Sequence, residues 1–88
     1  MKLKYNFVVR QIGGKAVAVA VGEDNAKFNG MIKLNGTGEI VFDCLKTDTT
    51  VDEIAKTLTE RFSVDLSTAV ADVAQYIDNL RAAGLIEE

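Results

Sequence analysis

The hydrophobic period of this chain changes once, at Asn35, and that switch confines the fold to strands first and helices second. Before it, Phe7 to Ile12 and Lys15 to Val21 flank Gly13-Gly14, a pair able to take the positive φ angles of a two-residue hairpin turn. Such a turn sets Val8 opposite Val19, Arg10 opposite Val17 and Gln11 opposite Ala16. One face then carries Val8, Val17, Val19 and Val21, and the other carries Phe7, Val9, Ala16, Ala18 and Ala20. With both faces apolar, the hairpin is expected to be either sandwiched inside the domain or turned with its alanine face toward another chain. Turn formers from Gly22 to Asn25 lead to a third strand at about Phe28 to Leu34. Its alternation puts Phe28, Ile32 and Leu34 on one side and Met31 and Lys33 on the other.

After the switch, Asn35 is placed to cap a first helix by accepting the N–H of Thr37 or Gly38, with Ile40, Val41, Cys44 and Leu45 as its stripe. Thr50-Val51-Asp52-Glu53 reads as a capping box opening a second helix, along which Val51, Ile54, Ala55, Leu58 and Phe62 follow at helical spacing. A third helix starts near Asp65 or Ser67 and stops at Gly84. Leu66, Ala69, Val70, Val73, Ala74, Ile77 and Leu80 share one face of it, with Tyr76 at the edge. At ~100° per residue that arc spans roughly 160°, wider than one packing contact needs.

Eighty-eight residues support a single domain, 1–88, because two cores would each be too small to hold together. The absent residues restrict the chemistry. No histidine means that the commonest general base and metal ligand are missing, and one cysteine allows neither an intramolecular disulfide nor a cysteine-built zinc site. No cofactor, metal or catalytic residue is expected. Cys44 reads as a small buried hydrophobe. Gly36-Thr37-Gly38 is not followed by a lysine at phosphate-loop spacing. No apolar run approaches the ~18 residues of a membrane span, and a lone thiol fits a reducing compartment. A cytoplasmic protein without membrane contact is the expectation.

The third strand ends a three-strand set and so keeps one hydrogen-bonding edge open, which is either blunted, with Lys33 as the blunting charge, or used to bind an extended peptide. The order of elements and particular strings decide between these uses. Phe28-Asn29-Gly30-Met31-Ile32-Lys33-Leu34-Asn35 leading into Thr37-Gly38, with Asp72-Val73, Ile77, Leu80 and Gly84-Leu85-Ile86, resembles the PqqD-like proteins over nearly the whole chain. The resemblance implies an α+β, winged helix-turn-helix-like domain, a three-stranded antiparallel sheet followed by three helices. It also implies a non-catalytic module that captures the leader segment of a ribosomally made precursor peptide by strand addition. The module then presents that peptide to a maturation enzyme, often a radical S-adenosylmethionine enzyme. Carried over by position, the peptide-binding residues are Gly30, Met31, Ile32, Lys33 and Leu34 on the strand, and Val70, Val73, Ala74, Ile77 and Arg81 on the helix. Family members acting in pyrroloquinoline quinone synthesis typically carry Pro-Glu ahead of the third strand. Here the chain has no proline and offers Phe28-Asn29, so the quinone pathway does not follow from the resemblance.

Two rival readings are a homodimer built on the alanine face and a DNA-binding winged helix. Charge disfavours the second. Residues 1–34 hold six Lys/Arg against Glu23 and Asp24, whereas residues 35–88 hold four against eleven Asp/Glu. From Asp65 to Gly84 the recognition helix would offer only Arg81 against Asp65, Asp72 and Asp78, and duplex affinity rests on phosphate contacts from Lys and Arg. The expected outcome of a gel-shift titration at low salt is therefore no retarded band. Retention that weakens as salt rises would reinstate nucleic acid as a partner.

Overall fold

Gly13 and Gly14 both take positive φ, 60° and 78°, the pair of left-handed conformations that closes a two-residue hairpin. In this computed structural model, which describes residues 1–22 and 30–88, that turn joins β2 (Phe7–Ile12) to β3 (Lys15–Ala20). The pairing is the one the sequence dictates: Val8 opposite Val19, Arg10 opposite Val17, Gln11 opposite Ala16. β4 (Met31–Leu34) adds antiparallel to β3, giving the order β2-β3-β4. The expected beginning of that strand, Phe28 and Asn29, and Lys27 before it lie outside the described residues.

Three helices follow: α1 (Gly36–Cys44), α2 (Val51–Arg61) and α3 (Leu66–Ala82). Each begins at a side-chain cap. The Asn35 carboxamide oxygen accepts from Gly38 N–H at 2.8 Å, the Thr50 hydroxyl from Glu53 N–H at 3.2 Å, and the Asp65 carboxylate from Thr68 N–H at 2.9 Å. Hydrogen bonding from Thr68, its side chain first and then its N–H, lowers the Asp65 carboxyl below its ordinary range. At Thr50 the Glu53 carboxylate accepts instead from the Thr49 hydroxyl, at 3.1 Å. That contact fixes the loop ahead of α2.

A second, two-stranded sheet was not apparent in the sequence. β1 (Lys2–Leu3) pairs antiparallel with β5 (Ile86–Glu87), bringing the two ends of the chain together. Lys4 N–H donates to Leu85 C=O at 2.8 Å and Leu3 N–H to Leu45 C=O at 3.0 Å. Strands of two residues have no period to read.

The core settles which face of the hairpin is inside. Ala16, Ala18 and Ala20 are buried with Phe7, Leu34, Val41, Phe42, Ile54, Val73 and Ile77 in one cluster, onto which Val9 and Ile32 also pack. The alanine face is thus the floor of the protein's own core. The homodimer reading that relied on it loses its surface, because small side chains were needed to admit helices, not a second chain. The opposite face carries Val8, Arg10, Ile12, Lys15, Val17, Val19, Met31 and Lys33, and Ile12 and Met31 are among the most exposed large apolar residues. Val17 is nonetheless buried there, flanked in register by the long stems of Arg10 and Lys33.

Ala18 has no exposure at all, so added volume has nowhere to go. Ala18→Leu should cost about 1–3 kcal/mol in urea unfolding. A smaller loss would show that the sheet and helices can separate to admit the larger side chain.

Candidate functional site

Register decides which backbone groups of β4 are used up inside the sheet. In an antiparallel pair, residues that exchange hydrogen bonds alternate with residues that do not. Val21 N–H donates to Asn6 C=O at 3.0 Å, which makes Asn6 and Val21 a bonded pair and Phe7 and Ala20 a non-bonded one. Counting along the ladder, Ala16 and Ala18 turn their N–H and C=O groups away from β2 toward β4. Their partners there are Leu34 and Ile32. It follows that Met31 and Lys33 direct their N–H and C=O groups outward, to an edge on which no strand lies among the described residues. Both residues are exposed, Met31 at 65%.

Beside this edge, on the core side of the sheet, a cavity of about 290 Å³ is lined by Ile32, Tyr76, Asn79, Leu80, Ala83 and Leu85. A second depression of about 230 Å³, lined by Asn35, Thr37, Asp72, Gln75, Tyr76 and Asn79, adjoins it through the two shared residues. Together they form a groove along α3, faced by Ile32 of β4 at one end and by Asn35 and Thr37 at the start of α1 at the other. Asp72, Tyr76, Asn79 and Ala83, at helical spacing, make the α3 wall.

Local structure builds the lower end of the groove. Gly84, at φ 76°, ends α3 in a left-handed turn in which Leu85 N–H donates to Leu80 C=O and Gly84 N–H to Arg81 C=O, both at 3.0 Å. This double closure sets Leu85 against Leu80, and both line the cavity. The upper end depends on Tyr76. Its ring meets Phe42 edge-to-face, with centroids 6.5 Å apart, and Phe42 meets Phe7 in the same way at 5.7 Å. Its hydroxyl comes so near Gly38 that a β-carbon there would lie 2.6 Å from the oxygen. Burial pushes the Tyr76 phenol up, so Tyr76 presents a neutral hydroxyl near pH 7.

The ten sequence-predicted residues divide. Gly30 to Leu34 lie in a row at the edge, with Leu34 buried and Ile32 half-buried toward the groove. On α3, Val73 and Ile77 are in the interior, at 0% and 1% exposure. Val70 and Ala74 are half-buried, and with Arg81 they lie across the helix from the groove stripe. Arg81 is held by Asp78 at 3.1 Å and Glu88 at 2.7 Å. Of the five strand residues, the structure brings Ile32 together with Tyr76, Asn79, Leu80, Ala83 and Leu85 around the cavity, while Met31 and Lys33 lie on the outer face of the sheet. A hydrophobicity criterion passes over Asn79 and Ala83. The signal that could have found them was their i, i+3, i+7 spacing from Tyr76.

A three-stranded antiparallel sheet with an open outer strand, backed by three helices and grooved along the last, defines the class: an α+β, winged helix-turn-helix-like domain. The sequence profile of the family described as "Coenzyme PQQ synthesis protein D (PqqD)" matches residues 15–86, and the chain belongs to that family. No curated protein sequence matches it. Among solved structures it resembles "TbiB1 in Complex with the TbiA(beta) Leader Peptide", with a TM-score of 0.75 and 21% identity over 99% of this chain and 95% of that one. At that identity the likeness concerns the fold.

Gly38→Ala should tighten the upper groove against the Tyr76 hydroxyl. Overpacking outweighs the gain in helix propensity, for a net loss of about 1 kcal/mol in chemical unfolding. Tyr76→Phe in the same chain should restore part of that loss. Strict additivity of the two substitutions would mean that the contact does not constrain the glycine.

Proposed function

We propose that this domain is a non-catalytic binding module that takes up the leader segment of a ribosomally made precursor peptide as a fourth strand along β4. It holds that segment for a modifying enzyme, of the radical S-adenosylmethionine type. The observation that carries the reading is the edge at Met31 and Lys33, facing outward with no strand on it among the described residues, beside a groove whose end at Ile32, Leu80 and Leu85 is apolar. An extended peptide meets backbone groups there that have no strand partner among the described residues and that bond whatever its sequence, and a groove that selects among side chains. Membership of the PqqD family supports the reading, as does the leader peptide bound in the complex of similar fold. Gly30 lets a ligand backbone approach closely, and Ile32 contributes to the groove itself. Of the helix residues, Val73 and Ile77 act from behind, holding α3 in place, while Tyr76, Asn79, Leu80 and Ala83 meet the peptide.

Proline separates the two kinds of backbone group on one strand. Lys33→Pro removes an outward N–H and breaks no bond inside the sheet, so the fold should survive. Affinity for the leader of a precursor encoded beside the domain, measured by calorimetry, should fall by roughly 1 kcal/mol or more. Ile32→Pro removes a donor to β3 and should lower stability itself. Undiminished affinity in a folded Lys33→Pro protein would place the peptide elsewhere.

A further inference from the structure

The rows of side chains that cross the sheet end at the open edge, and each row carries a different chemistry. Lys33 stands at the end of the row Arg10–Val17–Lys33, and Met31 at the end of the row Val8–Val19–Met31. Both rows lie on the outer face, where none of the outward-facing strand residues is acidic. Between them, Ile32 points the other way, into the cavity of about 290 Å³ against Tyr76, Leu80 and Leu85. A strand added to β4 extends these rows by one position each, since cross-strand neighbours lie side by side on the same face.

Resting on the proposed strand addition, we infer that the domain reads a three-residue pattern in its peptide: an acidic residue, then two large apolar residues, in that chain order. In an antiparallel strand the first residue stands opposite Lys33 and extends a row holding two cations. The second stands opposite Ile32 and fills the cavity. The third stands opposite Met31 and extends an all-apolar row, where methionine's flexible thioether adapts to its shape. The order follows from direction. Antiparallel addition continues the pattern of the existing sheet and uses Met31 and Lys33 as bonded pairs; a parallel strand would reverse the motif and form slanted, less stable bonds. The acidic position distinguishes partners by charge, because a lysine there sets like charges directly opposite each other.

The test uses short fluorescein-labelled peptides in a constant threonine-rich background, with the centre Glu-Leu-Leu, Lys-Leu-Leu or the reverse Leu-Leu-Glu, read by anisotropy at low salt. Glu-Leu-Leu should bind about threefold or more tightly than either of the others, the size expected of an exposed cross-strand charge pair. Lys33→Glu, an exposed substitution whose fold is checked by circular dichroism, should transfer the preference to Lys-Leu-Leu. An unchanged ranking in Lys33→Glu, equal affinity for the three peptides, or binding to none overturns the assignment. Lys33→Pro separates this failure from that of strand addition itself. Binding lost in Lys33→Pro with no exchange of preference in Lys33→Glu refutes only the row pattern, whereas binding retained in Lys33→Pro refutes the edge as the site.

Discussion

The alanine floor of β3 is the constraint on which the rest of the molecule depends. Ala16, Ala18 and Ala20 leave room above the sheet, and Phe42 occupies that room at 1% exposure, edge-to-face with Phe7 below and Tyr76 beyond. This chain of rings joins a strand, the first helix and the last helix in one line. Larger residues on β3 would lift α1, and Tyr76 would lose the ring that holds it. The groove beside β4 is therefore a consequence of core packing and not a feature added to the surface. The same logic accounts for Gly38, where the absence of a β-carbon lets the Tyr76 hydroxyl come close.

Much of the fold was legible because its determinants are local. Gly13-Gly14 fixed the hairpin register, and Asn35, Thr50 and Asp65 marked the helix starts, since a cap is a side chain acting within three residues of its own position. The β1–β5 pairing was not legible, because it joins the two ends of the chain through strands of two residues. Of the candidate groove and edge, only the strand side was legible. An open edge follows from strand order, but the groove wall on α3 does not follow from hydrophobicity. The wide apolar arc on that helix belongs mostly to the interior, as Val73 and Ile77 show. The residues that meet the groove are a mixture of Tyr76, Asn79 and Ala83 at the arc's margin, where apolar and polar positions interleave.

An exposed edge is a hazard as well as a resource, since a second chain can pair with it as readily as a ligand. β4 limits the hazard by its four-residue length and by Lys33, which sets like charges against each other when two copies approach edge to edge. On the proposed strand addition, the same lysine leaves a peptide carrying a carboxylate free to pair. One residue can thus discourage self-association and bias the choice of ligand, and neither effect requires a change in the backbone.

Magnitudes show why the edge and the groove must act together. Among the described residues of β4, Met31 and Lys33 turn outward, each offering one N–H and one C=O, and a net hydrogen bond contributes about 0.5–1.5 kcal/mol. Their sum is comparable to the lowest values for the translational and rotational freedom lost on association, about 4 kcal/mol. Backbone pairing by itself would therefore give almost no affinity, and a promiscuous edge of this length is a poor binder. Burying one large apolar side chain adds about 1.5–3 kcal/mol, which is the margin that turns a transient contact into a measurable complex. The cavity beside Ile32 has the volume for one such side chain, about 290 Å³. On the proposed strand addition, selectivity arises from the size of the strand itself: because β4 is too short to hold a peptide by its backbone, a peptide must also fill the groove to be retained.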